Sequence, residues 1–286
     1  MTTRGITSGL LLGGVFLLVF SPLLPELYDA WMTNSDDSHG ALVPIISAYL
    51  IWQRRERLAQ TPIAVGPWGG VLLAASLLVY VVAYAGSIAV ASRLAMVGSL
   101  LGLVLFNLGP RRFALLAFPL CFLVFMVPVP ISLYSLAAFP LQLFASKVSA
   151  GIISAMQIPV LREGNMLYFA QTQLEVAEAC SGLRSITAFV MLSCLFAYIM
   201  QPNWLKRLGM VFSALPLALF ANIVRVTGTG VLAHFIGGKA AEGFLHEFSG
   251  LAVFAFGFVL LFIVYRLLER SRSAATQAAD SAAPGN

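Results

Sequence analysis

Gly66–Arg112 reads GPWGGVLLAASLLVYVVAYAGSIAVASRLAMVGSLLGLVLFNLGPRR, and this stretch decides the fold class. It holds two apolar runs, 67–86 and 91–109. At a helical rise of about 1.5 Å per residue, each is long enough to cross a hydrocarbon core about 30 Å thick. Between Gly66 and Pro110 the sole charged residue is Arg93, and the basic pair Arg111 and Arg112 follows. Apolar runs separated by short basic clusters mark a chain that crosses lipid repeatedly.

The same ruler, carried outward, finds runs at 6–25, 40–53, 67–86, 91–109, 113–130, 183–200, 210–231 and 250–268. The expected fold is an all-α polytopic integral membrane protein with about eight transmembrane helices. The run 40–53 is short and needs stretching or shielding by its neighbours. Composition agrees: the 286 residues are 59% hydrophobic and 10% charged, with mean hydropathy +0.90. A soluble domain carries about a quarter charged residues. The first run exceeds a signal-peptide core and meets Glu26-Leu-Tyr-Asp29 in place of a small-x-small site, so it reads as an uncleaved span. A net charge of +5 raises nucleic acid as a partner. The basic residues, however, are clusters such as Arg54, Arg55 and Arg57 beside apolar runs, which excludes that reading and leaves membrane lipid as the surrounding partner.

Basic residues also set the orientation. With both termini cytoplasmic, the inner side holds Arg4, Arg54, Arg55, Arg57, Arg111, Arg112, Lys206, Arg207, Arg266, Arg270 and Arg272, eleven of the seventeen Lys plus Arg. Glu26, Asp29, Asp36, Asp37, Glu163, Glu175, Glu178, Glu242 and Glu247 all fall outside.

Residues 131–159 combine helical apolar spacing with Ser132, Ser135, Gln142, Ser146, Lys147 and Ser149. A true crossing here would break the downstream basic pattern. Amphipathic helices on the outer face, or re-entering the protein, are expected instead, divided at Pro140. Tyr168, Phe169, Leu174 and Val176 around the turn-like Glu163-Gly-Asn predict a short β-hairpin just before Cys180, an edge able to pair with an extended peptide. Residues 1–270 read as one transmembrane domain and 271–286 as a disordered cytoplasmic tail.

Three outer segments carry ionisable groups, which lipid makes expensive. In Glu175-Val-Ala-Glu-Ala-Cys-Ser-Gly-Leu-Arg184, a helix starting near Ser181 would turn its N-terminus toward the Cys180 thiol. That field, with Arg184 one turn on, favours the thiolate, which is the nucleophile. The plainer reading is a buried small residue with Ser181 as a cap. Cys121 and Cys194, inside apolar runs, read as small buried hydrophobes. In the second segment Asn222 and Arg225 share a helix face, and Arg225 is a candidate for holding a carboxylate or an oxyanion; the alternative is an arginine snorkelling to the interface. The third, Phe244-Leu-His-Glu-Phe-Ser-Gly250, offers His246 as base and then acid, with His234 and His39 as competitors. No HExxH, CxxC, GxxxxGK or metal-spaced carboxylate cluster occurs, so no cofactor is expected.

Together ACSGLRS (179–185), NIVRV (222–226), HEFSG (246–250) and DSHGALVPIISAYLIW (37–52) resemble the motifs of the exosortase family, in order, over residues 25–268. The resemblance implies a bacterial inner-membrane cysteine transpeptidase with its active site facing the periplasm. Cys180 maps to its nucleophile, Arg225 to its arginine and His246 to its histidine, with Glu178, Ser181, Arg184, Asn222 and His39 in support. Archaeal relatives carry arginine at the position of His246, so this chain resembles the bacterial branch. The implied substrates are exported proteins ending in a Pro-Glu-Pro motif, a transmembrane helix and a basic cluster, and exopolysaccharide machinery is an implied associate. Two rivals stay open: a membrane cysteine protease that uses water, and a transport or exopolysaccharide-export component without catalysis.

Overall fold

The computed structural model describes residues 3–34, 36–170, 172–176, 182–200, 203–237, 252 and 255–269. The expected tail, 271–286, lies outside them. The described chain is mostly helical and divides into two compact units, up to Pro130 and from Ile131 onward.

The first unit begins with α1 (Thr3–Val19) and α2 (Leu23–Thr33). The expected span 6–25 is therefore not one helix: from Gly9 onward the pair bends by 73° at Phe20–Pro22. Pro22 has no N–H to continue the ladder, so the chain breaks there. The Tyr80 hydroxyl donates to the Val19 carbonyl (3.2 Å), one of the acceptors a helix end leaves without an intrahelical partner. Next come α3 (Leu42–Gln53), the short α4 (Arg55–Gln60), α5 (Pro67–Ala85) and α6 (Ala89–Phe122). A Cβ at Gly69 would strike the backbone of Phe106, and one at Gly102 the backbone of Leu73. Glycine thus sets how closely α5 and α6 approach, as small residues do between membrane helices.

α6 contains the expected boundary between the runs 91–109 and 113–130. Gly109 adopts φ 78°, ψ 170°, a conformation that side chains resist. Its neighbour Arg112 donates from Nε to the Thr61 carbonyl (2.8 Å), tying the break to the α4–α5 connection.

The second unit holds α7 (Ile131–Ala155), three short strands, α8 (Gly182–Met200), α9 (Trp204–Ile236) and a helix α10 over 255–269. Pro140 does not divide 131–159: α7 runs through it as one helix of 25 residues. A helix interior tolerates proline where other groups satisfy the freed carbonyl. Ser146 and Ser149 are fully buried. The Ser146 hydroxyl donates to Leu143 (2.9 Å) and Gly164 (3.0 Å) carbonyls, and that of Ser149 to Ile223 on α9 (3.3 Å). Ser193 on α8 likewise donates to Met210 on α9 (2.6 Å), and Lys206 to the Leu268 carbonyl on α10.

The expected hairpin is present and is extended by one strand. β1 (Leu161–Glu163), β2 (Met166–Tyr168) and β3 (Gln173–Glu175) form an antiparallel sheet in sequence order. Leu167, Leu174 and Val176 are buried with Ile153 of α7 and Val226 of α9. A Cβ at Gly230 would meet Ile153 and Phe169, so this glycine lets the sheet and α7 settle onto α9.

Among the described residues, three helical stretches are long and apolar enough to cross a membrane: Pro67–Ala85, Ala89–Met126 and Trp204–Ile236. The bent α1–α2 pair makes a fourth if taken as one span. The expected eight are not confirmed among the described residues. α3 has 12 residues, or about 18 Å at the helical rise. The runs 91–109 and 113–130 fall in one element broken at Gly109. The described apolar part of α8 is only Ile186–Met200, and the run 250–268 begins outside the described residues. Large side chains such as Trp68, Leu18 and Phe212 are bare on the helix surfaces, as lipid-facing residues are. Cys121 is exposed and Cys194 half-buried, contrary to the expected full burial, because parts of these helices face away from the protein.

Candidate functional site

The site is assembled on α9. Its buried residues are Met210, Ala214, Ala218, Ala221, Arg225, Val226, Gly230 and Ala233, a stripe at intervals of three and four apart from the adjacent pair 225–226. Every member is small or apolar except Arg225, which is 4% exposed. An arginine at such a position costs about 2.5–3.5 kcal/mol on the membrane-insertion scale. The snorkelling alternative needs an exposed head group, so it does not describe Arg225.

Asn222 lies three residues earlier on the same face and is half-buried. It lines a cavity of about 20 Å³ with Leu141, Gln142, Ile186, Leu215, Ala218 and Leu219. That is room for about one water molecule, and the two amide side chains supply polar partners. In the sequence Gln142 is only one of several polar interruptions of the run 131–159. Its signal was the register Gln142, Ser146, Ser149, Ile153, spaced by four, three and four along one face of α7.

Val226, next to Arg225, belongs to the same buried cluster as Leu174 and Val176. The strand that leads toward Cys180 is therefore packed against the helix that carries Arg225. Cys180 itself, with Glu178 and Ser181, lies outside the described residues, as does His246. Cys180 follows Val176 by four positions in the sequence, a reach of at most about 14 Å of extended chain. The described part of α8 starts at Gly182 and includes Arg184.

The histidine competitors separate on geometry. His234 is on α9, nine residues beyond Arg225, which is about 13 Å along the axis and on the opposite face. His39 belongs to the first unit, in a 3-10 turn at Ser38–Ala41. Asn34 donates from Nδ2 to the Asp37 carboxylate (2.7 Å). Trp31 donates from its indole to the Met126 carbonyl (2.9 Å), and a Cβ at Gly40 would strike that indole. Burial pushes the His39 imidazole below its ordinary range, against the opposing pull of the Asp37 carboxylate. The same burial raises Asp37. His39 thus favours its neutral form within a tightly packed turn of the first unit.

No group of three or more His, Cys, Asp or Glu suited to a metal occurs among the described residues. No curated protein and no solved structure matches the chain. The sequence model of the transmembrane exosortase family matches residues 31–263, well over half of the chain and across both units. With the four ordered motifs and the buried arginine stripe, that match places the chain as a member of the transmembrane exosortase family.

Proposed function

We propose that the protein is a cysteine transpeptidase that cuts the C-terminal Pro-Glu-Pro sorting signal of exported proteins and passes them to an acceptor. The observation that carries this reading is Arg225. It is a buried cation in an otherwise apolar helix stripe, beside the cluster that anchors the strand leading to Cys180. Family membership supplies the reaction class.

In this reading the Cys180 thiolate attacks the scissile carbonyl carbon. A C–S bond forms, and the carbonyl oxygen becomes an oxyanion facing the Arg225 guanidinium, whose five donors are always charged. His246 receives the thiol proton and delivers it to the departing amine as the C–N bond breaks. The substrate's helical tail leaves, and a thioester remains. An acceptor amine or hydroxyl then attacks the thioester, giving its proton to His246, and the C–S bond breaks to restore the thiolate. Asn222, Arg184, Glu178 and Ser181 orient these groups. The chemistry faces the periplasm from a bacterial inner membrane crossed about eight times, with both termini cytoplasmic. The exopolysaccharide machinery is the associated export system.

The test uses an exported reporter with a Pro-Glu-Pro, transmembrane and basic tail. Wild type and Cys180→Ala are first shown to be present equally in the membrane. Wild type is expected to shorten the reporter, while the alanine variant leaves it whole. Equal processing by both would remove the thiol mechanism and favour an accessory export role. Mass analysis of the mature C-terminus separates transfer from hydrolysis, because an acceptor adds mass and water leaves a free carboxylate.

A further inference from the structure

β3 is an edge strand. In its register with β2, Leu174 faces Leu167. The Phe169 N–H donates to the Thr172 carbonyl (2.8 Å), and the Val176 N–H to the Asn165 carbonyl (2.9 Å). The Thr172 carbonyl, Leu174 and the Val176 N–H therefore face β2 and the residues flanking it. In an antiparallel ladder these groups alternate, so the N–H and C=O of Gln173 and the N–H of Glu175 point the other way; the strand ends there, and Val176 is helical. No strand pairs with them among the described residues. Among the described residues the Gln173 carbonyl accepts from the Thr172 hydroxyl, at 3.4 Å.

We propose that this edge of β3 docks the extended backbone of the substrate beside its scissile bond, as a fourth strand bonded to Gln173 and Glu175. The inference rests on the transpeptidase reading above and names how that site holds its peptide. Strand addition suits an edge that is already rigid, because a preordered strand loses little freedom on binding. Here Leu174 and Val176 are pinned in the cluster with Ile153 and Val226. Glu175 is further held by the Asn165 side chain (3.3 Å). From Glu175 to Cys180 is five residues, so a peptide bonded to β3 lies within about 17 Å of chain from the thiol.

Strand pairing also fits the Pro-Glu-Pro element. A proline cannot donate to a ladder and is tolerated where its nitrogen faces away from the partner strand. Prolines two apart put both nitrogens on the same outward side, and the glutamate between them presents its N–H and C=O to β3. The opposite edge, β1, serves as a control. It leads away from Cys180 in sequence, and the Arg162 side chain folds back to the Gly164 carbonyl (2.7 Å).

Disulfide trapping tests the edge. The full-length protein carries Cys121→Ala, Cys180→Ala and Cys194→Ala, plus either Gln173→Cys or Arg162→Cys. Single cysteines are stepped through the reporter around its Pro-Glu-Pro motif. Gln173→Cys is expected to trap alternate reporter positions, the period of a strand, and Arg162→Cys to trap none. In the Cys180 enzyme, Gln173→Pro removes one outward N–H and is expected to slow processing by about three- to tenfold, the worth of one hydrogen bond. Trapping without a two-residue period, trapping at Arg162→Cys, or wild-type rates in Gln173→Pro each overturns the edge assignment while the transpeptidase reading stands. A reporter left whole by the unsubstituted enzyme is the separate failure, that of the reading itself.

Discussion

The two units solve helix packing differently. In the first, α5 and α6 meet backbone to backbone through Gly69 and Gly102, with no charged side chain at those close approaches. In the second, α7, α8 and α9 are tied by buried serines that donate to carbonyls of neighbouring segments, and the α9 stripe contains Arg225. Glycine contacts maximise dispersion and carry no chemistry. Serine ties and a buried guanidinium cost desolvation, and such a cost is tolerated where polar groups are needed inside. The α5–α6 pair also buries Ser76, Ser92 and Ser99, but no charged side chain, so on the transpeptidase reading it is scaffold and the α7–α9 core, with Arg225, holds the chemistry.

Arg225→Met tests that division most sharply. Methionine fills a similar volume without the charge. Processing of the reporter is expected to fall by roughly 100-fold or more, the worth of an oxyanion donor. The melting temperature in detergent is expected to hold or rise, because replacing a buried charge with an apolar group is often stabilising. Arg225→Lys should restore little, since a point charge does not reproduce the guanidinium fork. Processing that survives in the methionine variant would reduce Arg225 to a packing oddity and erase the contrast. Gly102→Leu should act in the opposite sense. It forces α5 and α6 apart at a cost of about 1–3 kcal/mol. Its melting temperature should drop, while processing per folded molecule stays near wild type. An unchanged melt would mean that α5 and α6 do not depend on close approach. The smallest effect is expected from Ser193→Ala, which removes one interhelical hydrogen bond worth about 0.6 kcal/mol in a membrane protein. A loss several times larger in the same melt would show that the serine ties act as a connected network.

Much of this was legible in one dimension. The membrane class follows from apolar runs and scarce charge. The helix break at Gly109 coincides with the basic pair Arg111–Arg112, and the hairpin before Cys180 follows from Tyr168, Phe169, Leu174 and Val176 around a turn. Other features were misread for identifiable reasons. Pro22 splits the first run because an apolar count ignores backbone donors. Pro140 leaves α7 intact even though proline alone favours a break. Ser146 and Ser149 left open whether 131–159 lies on the outer face or enters the protein, because composition does not reveal which face a residue takes.

The sequence by itself determined the solvent of this chain, its helical class and the residue types available for chemistry. Those depend on local composition and spacing, which are read one segment at a time. Only the tertiary structure decided that Arg225 lies in the buried stripe of α9, that Gln142 joins Asn222 at one small cavity, and that β3 is held against the arginine helix with one edge turned outward. Each of these is a relation between residues distant in the chain. Packing sets such relations, because burial and hydrogen bonding depend on which faces meet.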